Sequence, residues 1–138
     1  MKSVVRTRQM RESDRNFVTK SWIETYRHCA PVRHVCNDVY YVGQYKRIIK
    51  ILSVCDVVIA VSDEDDDLMF GFCAYSKNNT VHYIYVKSAY RRYGIARIML
   101  HDAGIEKNKR VTVTHWDSKV CYSIGYDCDY NPYFADDI

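Results

Sequence analysis

The stretch VHYIYVKSAYRRYGIARIML, from Val81 to Leu100, changes character halfway along. Val81–Val86 is built from β-branched and aromatic residues with one histidine, the composition of a strand. From Gly94 to about Glu106 the pattern is helical, with Ile95, Ile98, Met99 and Ile105 as core contacts. At the corner stands Arg91-Arg92-Tyr93-Gly94-Ile95-Ala96, two positive charges and a glycine where strand gives way to helix. A helix N-terminus exposes unpaired N–H groups and a partial positive charge. A loop that turns its amides inward ahead of such a helix makes a cradle for a pyrophosphate. Gly94 allows close backbone approach and a positive φ, and Ala96 leaves room for the phosphates. Taken alone, the motif also fits an ordinary basic loop, because short glycine motifs match by chance.

Outward from this corner, Val57–Val61, Leu68–Tyr75 and Thr80–Val86 read as three strands of an antiparallel meander. SDEDDD (Ser62 to Asp67) and SKNN are the loops between them. Val4–Thr7 is a short first strand. RESDRNFVTKSWIETYR is a helix with Ser13 as N-cap and Phe17, Trp22, Ile23 and Tyr26 on one face. Beyond Pro31 a second helix runs from about Asp38 to Ser53. Tyr41, Tyr45, Ile48, Ile49 and Leu52 are its apolar face, and Lys46, Arg47 and Lys50 lie nearer the outside. Downstream, Arg110–Trp116 is a strand and DSKVCYSIGY a short helix closed by Gly125. DCDYNPYFADDI has room for one strand and a tail. The order β-α-α-β-β-β-α-β-α-β is an α/β fold, a mixed, mostly antiparallel sheet with helices on both faces. Residues 1–138 form one domain.

Composition narrows the function classes. The chain is 48% hydrophobic and 27% charged with a net charge of +3, so no global charge argues for nucleic acid. No window approaches 18 apolar residues, so no membrane span is expected. MKSVVRTRQM lacks the apolar run of a secretory signal. The six cysteines therefore read as reduced thiols in a cytoplasmic protein. His28, Cys29, His34 and Cys36 lack the spacing of a zinc site, and SDEDDD lacks the glycine and terminal glutamate of a calcium loop, so no metal is expected. The basic residues Lys46, Arg47 and Lys50 beside Tyr40, Tyr41 and Tyr45 are a solvated helix face by default. Nucleic-acid binding there is possible but not favoured.

The residues at the corner resemble the GCN5-related N-acetyltransferase (GNAT) superfamily. Its signature, R/Q-x-x-G-x-G/A between the fourth strand and the next helix, matches Arg91-Arg92-Tyr93-Gly94-Ile95-Ala96. A second family element, Asn-x-x-Ala-x-x-x-Tyr-x-x-Gly-Phe, matches HWDSKVCYSIGY through Tyr122, Gly125 and Tyr126, with His115 in place of the asparagine and Ser118 in place of the alanine. The element order matches as well, over nearly the whole chain. The resemblance implies acetyl-CoA (an acyl-CoA) as cofactor, its pyrophosphate on Arg91–Ala96. Its pantetheine arm pairs with the backbone of Ile84, Tyr85 and Val86, in a gap where the fourth and fifth strands part. It implies direct transfer to an acceptor amine, such as a protein lysine or N-terminus, a small amine or a modified base. The family usually ends in a two-strand hairpin, so the last strand here is missing, truncated or supplied by a partner, and a homodimer would cover the exposed edge. The short length is similar to that of GNAT-like proteins of phage and mobile elements.

Acyl transfer needs a neutral amine, a donor to the oxyanion and a proton for the departing thiolate. The resemblance implies an N–H of Val86 or its neighbour as the oxyanion donor and Tyr122 as the group facing the sulfur. The fourth strand has no glutamate to act as base. His82 and His115 are the titratable groups with a suitable ordinary pKa, and Asp117 is a weaker candidate. The alternative is a GNAT-fold binding or structural module without turnover, or a protein that modifies nucleic acid.

Overall fold

The computed structural model describes residues 5–133. The first strand, β1 (Val5–Gln9), leads through a 3-10 turn at Glu12–Asp14 into α1 (Arg15–Tyr26), followed by α2 (Asn37–Leu52). A meander of β2 (Asp56–Ser62), β3 (Met69–Ser76) and β4 (Thr80–Val86) comes next, then α3 (Ile95–Asp102), β5 (Val111–Val113), α4 (Ser118–Ser123) and β6 (Cys128–Tyr130). All six strands form one sheet in chain order. The pairs from β1 to β4 are antiparallel, and β4–β5 and β5–β6 are parallel. The expected mixed sheet is thus present, with one strand after Gly125 and no further strand among the described residues. The rest of the tail lies outside the described residues.

Two apolar layers cover the sheet. Val18, Trp22 and Tyr26 recur every four residues along α1 and pack with α2 against Ile59, Phe72 and Tyr83. On the other face Ile95, Met99 and Leu100 of α3 join Val58, Cys73 and Val113, with Cys121 and Ile124 from α4 and its end.

Several boundaries differ from the sequence reading. Ser13 does not cap α1. Asp14 accepts from the Arg11 N–H at 2.8 Å and from the Arg8 guanidinium at 2.6 and 3.1 Å. The Arg8 hydrogen bond leads the effects that hold the Asp14 carboxyl below its ordinary pKa. The core face of α2 is Tyr40, Gln44, Ile48, Ile51 and Leu52, so the expected Ile48 and Leu52 are buried, while Tyr41 and Tyr45 are 42% and 51% exposed. A polar residue in the buried row hid the true phase. The helix α3 stops at Asp102 because Gly104 takes φ +78°. Ile105 N–H then donates to Leu100 O at 3.0 Å and Gly104 N–H to His101 O at 3.0 Å, a Schellman closure. Asp66 of the acidic loop pairs with Arg6 and Arg11, so this loop clamps β1.

Gly71 matters more than its strand pattern suggests. A Cβ there would lie 2.2 Å from Tyr85 O and 3.0 Å from Val86 Cα, both backbone atoms of β4. Only β4 itself can give way. Gly71→Ala is expected to cost about 1–3 kcal/mol and to lower the melting temperature by about 5 °C or more, measured by thermal circular dichroism. An unchanged melting point would show that β3 and β4 do not approach this closely.

Candidate functional site: a parted sheet and a turned corner

The register of β3 against β4 runs Cys73↔Ile84, Ala74↔Tyr83, then Tyr75↔Val81. His82 is therefore left over, a bulge on β4. A bulge bends a strand and reverses which residues face each neighbour. Before it, Asn79 O and Val81 O accept from Thr112 and Thr114 of the β5 side at 3.1 and 3.2 Å. After it, Lys87 N–H turns to Phe70 O at 2.8 Å, on the β3 side. By alternation Ile84 and Val86 then face away from β3, toward β5. But β5 pairs with β4 only at Thr80 and Val81. The strands part beyond that point, and Ile84 and the Val86 N–H have no ladder partner.

The corner follows directly. Arg91 is extended, and its Nε–H donates to Val86 O at 3.0 Å. Arg92 has φ +71° and Gly94 φ +77°. Left-handed residues in such alternation curl successive amides toward one side. The first helical bond of α3 runs from Ile98 N–H to Gly94 O. Among the described residues, the N–H groups from Arg92 to Arg97 have no acceptor, and no side chain caps the helix. Arg91, Arg92, Tyr93 and Gly94 are exposed, Ala96 is half-buried and Ile95 is buried in the core.

A groove of about 540 Å³ joins these features. Its walls are Tyr83–Val86 of β4, the corner from Tyr90 to Arg97 except Tyr93, Thr25 of α1, and Asp117, Val120 and Ile124 around α4. A narrow slot of about 20 Å³ continues between β4 and β5, with His82, His115, Val113 and Cys121 in its lining. Tyr83, Ile84, Asp117, Val120 and Ile124 line both cavities, so the slot opens from the groove at these residues.

Comparison with solved structures finds the same architecture. A candidate acetyltransferase from Clostridium difficile 630 aligns with a TM-score of 0.58 at 16% identity, covering 94% of this chain and 95% of that one. Apo-form YjaB from Escherichia coli aligns at 0.53 and 16% identity over 72% of this chain, which spans 64% of YjaB. A candidate GNAT family acetyltransferase from Staphylococcus aureus aligns at 0.50 and 13% identity, covering 91% and 98%. The chain has the GNAT acetyltransferase fold. No family model and no curated protein matches the sequence.

On this GNAT fold the expected cofactor residues Ile84, Tyr85, Val86 and Arg91, Arg92, Gly94, Ile95 and Ala96 all line the one groove, while Tyr93 is 53% exposed beside it. The expected catalytic residues are not brought together. Tyr122 is 79% exposed, and its ring meets Trp116 edge to face, with centroids 6.0 Å apart. Val120 and Ile124 point α4 into the groove, and at about 100° per residue Tyr122 falls on the opposite side. His82 and His115 are instead buried in one hydrogen-bonded chain. Ser76 Oγ lies 2.7 Å from His82 Nε2, His82 Nδ1 3.0 Å from Thr114 Oγ1, Thr114 Oγ1 3.0 Å from His115 Nδ1, and His115 Nε2 2.8 Å from Gln44 Nε2. With Gln44 donating at one end, a neutral His115 carries its proton on Nδ1 and donates it to Thr114 Oγ1. Burial, with the Arg47 charge second, pushes His82 down to about 4 and His115 well below its ordinary value. Both imidazoles are neutral.

Sequence reasoning missed Arg97, whose guanidinium donates to Ile124 O at 3.2 Å and Ser123 O at 3.4 Å and so ties the corner to α4. Helical phase gave no reason to single it out. It also missed that Arg47 is not part of a free basic face, since its guanidinium donates to Pro132 O. Among the described residues no three His, Cys, Asp or Glu side chains gather as metal ligands, and no helix is long and apolar enough to cross a membrane.

The neutral histidines set a pH dependence. In the folded state His82 resists protonation to about 4, whereas unfolded it protonates near 6.5. Between these values the unfolded chain binds the extra proton, so stability falls as pH drops from about 6.5 toward 4. Urea unfolding between pH 7 and pH 5 is expected to lose about 1 kcal/mol per pH unit for each histidine. His82→Asn should remove part of that slope. A wild-type protein equally stable at both pH values contradicts the buried chain.

Proposed function

We propose that this protein is an N-acetyltransferase that moves an acetyl group from acetyl-CoA directly to an acceptor amine. One observation carries the reading. The unspent N–H groups of Arg92–Arg97, the unpaired backbone of Ile84 and the Val86 N–H open into the same groove. A diphosphate needs the first and an extended, amide-bearing chain the second. The residues fit both. The corner combines convergent amides, a helix N-terminus and the Arg91 and Arg92 charges, and the groove has the volume of a small-molecule site.

When bound, acetyl-CoA supplies an activated thioester. Arg91, Arg92 and Tyr93 edge the phosphate end, and the amides of Gly94, Ile95 and Ala96 hold it. Ile84, Tyr85 and Val86 orient the extended arm. The Val86 N–H, or that of Ile84, would be the donor available to the thioester carbonyl oxygen. His82 and His115 act as positioning residues, because all four ring nitrogens already have partners in the chain to Gln44 and Ser76. Tyr122, on the outer side of α4, is assigned no step. Free thiols at all six cysteines accord with a reducing, cytoplasmic setting. The outward Tyr122 favours a second reading, a protein that holds acyl-CoA without turning it over.

Titration calorimetry with coenzyme A tests the first claim. Gly94→Val, which forces a branched side chain into φ > 0, and Arg91→Glu are each expected to weaken binding by at least tenfold, about 1.4 kcal/mol. A wild-type protein that takes up no coenzyme A at millimolar concentration sinks the proposal. Thiol release from acetyl-CoA with a panel of amines then separates turnover from holding.

A further inference from the structure

We propose that Asp117 selects the acceptor, docking a cationic primary amine where the groove meets the slot. The proposal rests on the acyltransferase reading and names the residue that holds its acceptor. Among the described residues Asp117 is the only carboxylate lining either cavity, and it lines both. Its two oxygens have different duties. Oδ1 caps α4, accepting from Lys119 N–H at 3.1 Å and Val120 N–H at 3.5 Å. The other carboxylate oxygen accepts from no nitrogen or oxygen donor among the described residues, the Cys29 thiol stands close enough to share a hydrogen bond with the carboxylate, and the residue is half-buried. Lys119 lines the same groove but forms no ion pair with Asp117.

The wall formed by α1 and β4 adds a second acceptor. Thr25 Oγ1 donates its one proton to Ser21 O at 2.6 Å. The 2.7 Å contact between Thr25 Oγ1 and Tyr83 Oη must then be Tyr83 donating. Tyr83 Oη is left with lone pairs only, and both Thr25 and Tyr83 line the groove. Burial raises the Tyr83 pKa, so this phenol keeps its proton. Cys29, pushed up to about 12 by burial and by Asp117, stays a thiol and adds no competing charge. A cationic primary amine brings three N–H donors and a positive charge to this end. An alcohol brings one donor and none. The corner carries Arg91, Arg92 and Arg97 and no carboxylate, while Asp117, with Lys119 two residues along, offers the groove's carboxylate from the α4 wall, so a diphosphate and an ammonium are drawn to different places.

In the transfer the N–C bond forms as the C–S bond breaks. The acceptor loses two protons in all. One leaves to water, which reaches the half-buried carboxylate, before the nitrogen attacks. The other ends on the thiolate sulfur.

The test uses Asp117→Asn, which keeps an N-capping oxygen and replaces the other, with its share of the charge, by an NH2 donor, together with Tyr83→Phe. Coenzyme A is titrated first. Butylamine and 1-butanol are then titrated into the coenzyme A-saturated protein, and thiol release from acetyl-CoA is followed with butylamine. Asp117→Asn is expected to keep the wild-type melting point and coenzyme A affinity within twofold while the dissociation constant and KM for butylamine rise at least tenfold. Tyr83→Phe should give a smaller rise, and 1-butanol should not bind. Equal butylamine affinity in wild type and Asp117→Asn overturns the assignment. So does a wild-type protein that binds 1-butanol as well as butylamine, or one that takes coenzyme A but no amine. Those results leave the cofactor site standing, whereas failure to bind coenzyme A removes both.

Discussion

One extra residue in β4 governs the site. Without the bulge at His82, the N–H and C=O groups of Ile84 and Val86 would be turned to β3 rather than into the gap beside β5. With it, the strand bends, the polar groups of Ile84 and Val86 change sides, and the sheet opens at its centre. An interior opening of this kind is costly unless the displaced residue is satisfied, because a buried polar group without a partner costs about 1–3 kcal/mol. Histidine meets that requirement here through Ser76 on one side and Thr114 on the other. The gap is therefore held open by made bonds rather than left by poor packing.

The same bonds make the opening rigid. The chain from Ser76 through His82, Thr114 and His115 to Gln44 links the β3–β4 hairpin, both lips of the gap and α2. Around it, Trp22 and Tyr26 pack on the His115 ring with centroids 5.0 and 4.8 Å away. On the far side Arg97 fastens the start of α3 to the end of α4. Corner, gap and α4 thus share fixed neighbours. A long flexible ligand can then bind without the protein ordering itself at the same time, which is the usual source of lost affinity.

What could be read from the sequence depended on whether a local signal existed. RRYGIA is such a signal, because positive charge, glycine and a strand-to-helix change coincide within a few residues, and the corner is where they indicated. The meander and the order of elements were legible for the same reason. Tyr122 shows the limit. Spacing within HWDSKVCYSIGY gives its place in the motif but not the rotation of a six-residue helix, which is set by Val120, Cys121 and Ile124 packing inward. The α2 phase was lost at Gln44, a polar residue buried only because His115 lies above it. His115 is 71 residues away, and no window of sequence contains both. His82 and His115 were visible as titratable groups, but their ties to each other through Thr114 were not.

The two ends of the groove explain why a protein of modest net charge can still be selective. A net charge of +3 predicts little about partners, yet the arginines gather at the corner and one carboxylate sits at the other end. Charges apart in a partly desolvated groove act locally, since salt screens exposed charges beyond about 8 Å at physiological ionic strength. An anionic group arriving at the Asp117 end meets a carboxylate and a lone-pair-bearing phenol. A cationic group arriving at the corner meets arginines and the positive end of α3. The arginines favour an anion at the corner, and Asp117, with Lys119 two residues along, offers a carboxylate to a cation at α4. The bend at His82 lies between them, so the feature that opens the sheet also decides where the two charges can meet.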